Sequence, residues 1–184
     1  MIDTDYIRTM ARYSAWQNAN VMESADALED SARQAERGAF FGSIQATLNH
    51  LLWGDRIWMH RFAETGMPRT ASIRESIGET DNWSDYCSAR TAMDLVVTDW
   101  AARLEPIWLD GELTWFSTAA NRSICKPKQA LVVHLFNHGT HHRSSRTGAR
   151  AVRRATRAKR ARRALAHRRR CRLSAERAAR APCH

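Results

Sequence analysis

The chain has 184 residues, a hydrophobic content of 43% with seven Trp, and a formal net charge of +10, so it is long enough for one domain with a real core. No apolar run approaches the roughly 18 residues that cross a bilayer, and the opening "MIDTDYIRTM" lacks the basic-then-apolar order of a signal peptide. The four cysteines, Cys87, Cys125, Cys171 and Cys183, form no CxxC pair and are too scattered for a disulfide framework, which points to a reducing, cytoplasmic compartment and away from thiolate metal ligands. The charge is unevenly placed. Residues 1–142 hold 13 Lys+Arg against 18 Asp+Glu, whereas residues 143–184 hold 16 against 1. The basicity therefore belongs to a tail, and the body is mildly acidic.

In chain order, the body reads as helices. From Asp3 to about Leu28, Tyr6, Met10, Tyr13 and Trp16 keep a 3,4 rhythm, and no Gly or Pro intervenes before Gly38. A second helix starts after Ser43, a good N-cap, carries Ile44, Leu48, Leu51, Asp55, Trp58 and Phe62 on one face, and stops at "ETGMPR". The third runs from about Ser84 to Leu104, with Tyr86, Ala89, Met93, Val96, Trp100 and Leu104 inward, and ends before Pro106. Residues 107–126 hold β-favouring residues around Gly111 and read as a loop or short hairpin. A last helix begins near Pro127. The expected fold is all-α, an antiparallel four-helix bundle with helices crossing at roughly 20°.

That last helix contains "HLFNHGTHHR", four of the chain's eight histidines. His134, His138 and His142 follow at i, i+4 and i+8, so neighbouring members share a face, and His138 with His142 forms the HxxxH spacing that can share one divalent ion. In "ATLNHLLWGD" on the second helix, His50 lies in an otherwise apolar segment, one turn before Gly54, which leaves space beside it. An HxxxH alone, or one inward His alone, is as readily a hydrogen-bonded core or surface residue. Set on two helices of one bundle, the three make a candidate site, with ring nitrogens expected within about 4 Å of one another for metal–nitrogen distances near 2.1 Å. Asp55 has two readings, a group orienting a ligand imidazole or an edge residue paired with Arg56. His134 is an alternative partner for His138 if the register differs. His60 has no partner in view, and Trp16, Trp53, Trp58 and Trp100 read as core or dimer contacts.

The segments "YSAWQNANVM", "TLNHLLWGDRIWMHRF" and "LVVHLFNHGTHHR", in this order, resemble the DinB/YfiT-like family of bacterial four-helix-bundle metalloproteins. The likeness covers residues 1–143 and does not concern the lesion-bypass polymerase that has shared the name. It implies that His50, His138 and His142 hold a divalent metal, with water completing its shell; Zn, Ni, Mn and Fe all suit nitrogen ligation. Members of the wider superfamily include transferases and isomerases that use low-molecular-weight thiols. The resemblance thus implies a metal-dependent enzyme of thiol-transferase or hydrolase type acting on a small molecule, in a homodimer. The alternatives are a non-catalytic metal-binding stress-response protein that dimerises and, through the tail alone, nucleic-acid binding.

After the Arg matching Arg143, the family continues with Gly-Gln and a further amphipathic half-helix. This chain instead continues as "SSRTGARAVRRATRAKRARRALAHRRRCRLSAERAARAPCH", with one Lys, Lys159, against a large excess of Arg. A GC-rich gene read out of frame yields mostly Ala and Arg codons, so the segment reads as a frameshift near codon 144, and residues 144–184 as a disordered or frayed-helical tail. Val152, Leu165 and Leu173 are its only aliphatic residues larger than Ala. Burying them gains about 1.5–3 kcal/mol each, far less than the roughly 1.5 kcal/mol per residue that ordering the segment costs. Brief trypsin treatment is expected to remove everything beyond about Arg146 and leave the body intact, as mass spectrometry of the fragments would read. A protected tail would overturn the frameshift reading.

Overall fold

The computed structural model describes residues 2–144, and the expectations for the tail lie outside them. The fold is mostly helical. Four long helices, α1 (Thr4–Asp26), α3 (Ile44–Ala63), α4 (Trp83–Arg103) and α5 (Lys128–Ser144), are joined by a short α2 (Asp30–Gln34) and a two-stranded antiparallel sheet, β1 (Glu112–Ser117) with β2 (Arg122–Pro127). Helix α1 packs against α4 and α5, and α3 against the same two helices. Each of the first three long helices starts on a side-chain cap: Asp3 accepts from the Tyr6 amide at 2.7 Å, Ser43 from Ala46 at 3.1 Å and Asn82 from Asp85 at 2.9 Å.

The face assigned to α1 differs from expectation. Its buried residues are Ile7, Ala11, Asn18, Val21 and Ala25, whereas Tyr6, Tyr13 and Trp16 stand 37%, 43% and 58% exposed. Both sets keep the 3,4 rhythm, so periodicity alone does not choose between them. The smaller set faces inward because it meets two helices, and because Asn18 and Ser14 on that side bond to buried charged groups described below. On α3 the expected stripe is buried at Ile44, Leu48, Leu51, Trp58 and Phe62; on α4 Tyr86, Met93 and Trp100, with Leu104 just beyond its end, enter the same core, whereas Ala89 and Val96 are only partly buried and Val97 is buried instead.

Between α3 and α4 the chain runs through residues 64–82, including a 3-10 turn at Glu75–Gly78. One buried carboxylate ties this segment down. Glu79, 1% exposed, accepts from Arg56 of α3 at 2.5 Å, from the amides of Arg69 and Thr70 at 3.0 and 3.1 Å, and from the Thr70 hydroxyl at 2.8 Å. Asn49 of α3 adds a second tie, donating to the Ile77 carbonyl at 2.8 Å and accepting from the Thr80 hydroxyl at 2.7 Å. Burial raises the Glu79 pKa, but the Arg56 guanidinium and the other donors outweigh it and hold the carboxylate below the usual range.

Glu79→Gln is expected to cost about 2 kcal/mol near neutral pH, less than the 3–5 typical of a fully buried pair because Arg56 is 27% exposed. Since the folded pKa lies below the ordinary 4.5, the carboxylate stabilises above about pH 4.5 and loses that contribution as pH falls through its folded value. Urea unfolding at a series of pH values should therefore show wild type and variant converging in acid.

Candidate metal centre

His50 projects from the middle of α3 and is 3% exposed. Its Nδ1 lies 2.8 Å from the Ser76 hydroxyl oxygen. That hydroxyl already donates, at 2.6 Å, to the Ile73 carbonyl, which can only accept. The Ser76 oxygen therefore accepts from His50 Nδ1–H, and this fixes the tautomer that leaves the His50 Nε2 lone pair free. Nε2 points at His138 of α5, 3.1 Å from that residue's Nε2. The His138 and His142 rings lie 4.6 Å apart, and His142 stands 4.9 Å from His50.

The structure thus brings together the three residues singled out by spacing, and not His134. One ring nitrogen from each of His50, His138 and His142 falls within 4.8 Å of the others, somewhat wider than the expected 4 Å. The His50–His138 pair, at 3.1 Å, matches the about 3.0–3.4 Å between two nitrogens that each sit about 2.1 Å from a shared ion. His138 Nδ1 is buried without a hydrogen-bond partner among the described residues, so the polar contact of that ring is made to His50. Burial, followed by the neighbouring rings of His138 and His142, pushes the His50 pKa down to about 3. Burial, and then His142, pushes His138 down to about 4, and His142 is lowered for the same kind of reason. All three rings are neutral near pH 7 and offer lone pairs without first expelling a proton. The donor set fits a divalent metal ion, with three protein nitrogens and room for further ligands.

Two glycines make the arrangement possible. A Cβ on Gly54 would stand 2.8 Å from Cε1 and 3.1 Å from Nδ1 of His138, so only glycine on α3 lets that ring seat beside His50. A Cβ on Gly139 would meet the Arg143 guanidinium at 2.9 Å. Arg143, next to His142 and 7% exposed, donates to Asn18 at 2.9 Å and to the Ser14 hydroxyl at 3.2 Å, both on α1. Asn18 in turn donates to Asp94 at 2.7 Å. Arg90 of α4, 1% exposed, pairs with Asp94 at 2.8 Å and with Asp55 at 2.7 Å.

Asp55 therefore follows neither expected reading: its partner is the buried Arg90, while Arg56 turns to Glu79. His134 faces Trp58 at 5.3 Å and stands 5.9 Å from His138. His60 Nδ1 donates to the Thr65 carbonyl at the end of α3. Trp58 and Trp100 are buried, and Trp16 is on the surface. Trp53 and Trp58 also line a cavity of about 850 Å³ that opens onto the three histidines, a role the spacing of the tryptophans did not disclose. Ser76, and Phe41 stacked on the His50 ring at 4.0 Å, escaped the sequence reading as well, because both come from irregular segments. Arg90 had a legible signal, a cation inside the apolar seam Tyr86–Met93–Val97 with an Asp four residues on.

Gly54→Ala separates this seating from helix stability. Alanine favours a helix by about 1 kcal/mol over glycine, yet its methyl would displace the His138 ring. Circular dichroism should show an intact fold, while Zn²⁺ titration by calorimetry shows a loss of affinity of roughly tenfold to a hundredfold.

Searches among curated proteins and among solved structures returned no match. A family model described as the DinB family matches residues 1–149. The match runs from α1 through all three clustered histidines, and the chain belongs to the DinB family.

Proposed function

We propose that His50, His138 and His142 hold a divalent metal ion at the inner end of the cavity, and that the site activates a small-molecule nucleophile, a water or a low-molecular-weight thiol, for transfer or hydrolysis. The observation that carries this reading is the Ser76–His50–His138 chain, because a tautomer-fixed imidazole aimed at a second, orphaned imidazole is the arrangement a shared cation satisfies. A bound divalent ion supplies Lewis acidity that lowers the pKa of a coordinated water or thiol toward 7 or below. The residues supply the rest. Three neutral ligands leave the ion's charge uncompensated, and no carboxylate lines the cavity among the described residues. Phe41 covers one face of His50 and Trp53 stands at 5.8 Å from it, restricting water around the ring. We take residues 1–143 to be the metal-binding domain, folded as an antiparallel four-helix bundle, with residues 144–184 outside it.

A second reading, a non-catalytic metal-binding protein that self-associates, is favoured by one observation: Tyr13 and Trp16, with rings 5.8 Å apart, face outward on α1. Elemental analysis of the purified chain and of His50→Ala, His138→Ala and His142→Ala decides first whether a site exists. About one equivalent of metal in the wild type and loss of most of it in every variant is the expected result; retention by all three variants would overturn the assignment. A conjugation and hydrolysis screen with small thiols then separates the readings, since metal without turnover favours the second.

A further inference from the structure

The far wall of the histidine cavity carries a cation for which the reading above has no use. Arg61, the last but two of the α3 residues, lies against a pair of indoles, its guanidinium carbon 4.7 Å from the Trp58 ring and 5.0 Å from that of Trp115 on β1. The two ring centroids are 5.6 Å apart and the rings meet at 74°, so the indoles form an apolar corner on one side of the group and leave its N–H edge for another partner. Among the described residues no carboxylate and no hydrogen-bond acceptor takes that edge. A guanidinium so placed is a fork open to an oxyanion, and contact with the two indoles narrows its rotamers.

No carboxylate offsets this charge: Arg74 also lines the cavity, and no Asp or Glu among the described residues does. Burial pushes the Arg61 guanidinium below its ordinary value, which is the mark of a charge with too little compensation, although arginine remains charged at any working pH. Arg61 follows His50 by eleven residues, a rise of roughly 16 Å along the helix. Trp53, Ile57, Trp58 and Trp115 give the stretch between them an apolar wall.

We propose that the cavity binds an elongated anionic small molecule, its carboxylate or phosphate on Arg61, its apolar middle along the tryptophans and its reacting end at the three histidines. This deepens the function proposed above and rests on it only for the reacting end. Arg61 is a binding residue, and its side chain belongs to this chain's fold whether or not metal is present.

The test is calorimetric titration of the full chain, metal-free and zinc-loaded, with 4-phenylbutanoate, its neutral isostere 4-phenylbutanamide, and phenyl phosphate. Residues 143–184 hold 16 Lys+Arg and will attract anions regardless of residue 61, so dependence on Arg61 is the decisive readout. Metal-free wild type should bind at least one of the two anions tenfold or more tightly than the amide. Arg61→Met, which keeps an unbranched side chain against the indoles, should abolish that preference, and Arg61→Lys should restore part of it. Tryptophan fluorescence and circular dichroism establish that both variants are folded. Preference for one anion over the other identifies the oxyanion. Equal binding of amide and anions, an undiminished preference in Arg61→Met, or no binding of any probe at millimolar concentration overturns the proposal. A chain that shows the Arg61-dependent preference but takes up no metal overturns the metal assignment and leaves this one standing.

Discussion

Two buried guanidinium groups hold the four long helices in the one arrangement in which the histidines meet. Arg90 of α4 sits between Asp55 of α3 and Asp94 of its own helix, and Asn18 of α1 passes the chain of contacts from Asp94 to Arg143 of α5. A methyl-lined seam tolerates sliding and rotation at modest cost, whereas a desolvated charge that loses its partner costs several kcal/mol. The network therefore restrains the helices in register as well as in distance. Asp55 follows Gly54 and Arg143 follows His142, so two members of the network stand next in sequence to features of the centre. A rotation of α5 that withdrew His142 would also strip Arg143 from Asn18 and Ser14.

The side of the centre that faces the 64–82 segment is built differently. Its support comes from Ser76 on a 3-10 turn, and that turn is held by Glu79 and Asn49. This division explains what could be read from the chain alone. His50, His138 and His142 were legible because each lies within a helix whose period places it on a definite face, with His134 left as the alternative at the next turn. Ser76 was not, since its position depends on a carboxylate recruiting two loop amides and an arginine from elsewhere. The same holds for Phe41, placed by a tight turn with a positive φ of 77° at Gly42.

The error on α1 has a related cause. An aromatic stripe and a small-residue stripe one position apart have the same period, and hydrophobicity favours the wrong one. What reverses the choice is the demand of Arg143 and Asp94 for polar partners, met by Ser14 and Asn18 across the helix interface. Asp55 was misread for the same reason: its partner, Arg90, is 35 residues away and on another helix. Local pattern carries the helices, and pairings between distant charged groups decide which face of each helix turns inward.

His50 and His138 are separated by 88 residues, and Arg143 is joined to Asn18 across 125. During synthesis, at about 5–20 residues per second, the segment bearing His50 is complete some 4–18 s before His138 has been added to the chain. Once Ser76, 26 residues on, has been added, His50 has that partner within reach but not His138, and Asp55 can meet Arg90 well before α1 can meet Arg143. The histidine cluster is therefore the last feature of the domain to assemble, and until α5 emerges, only His50 of its three members is present on the nascent chain.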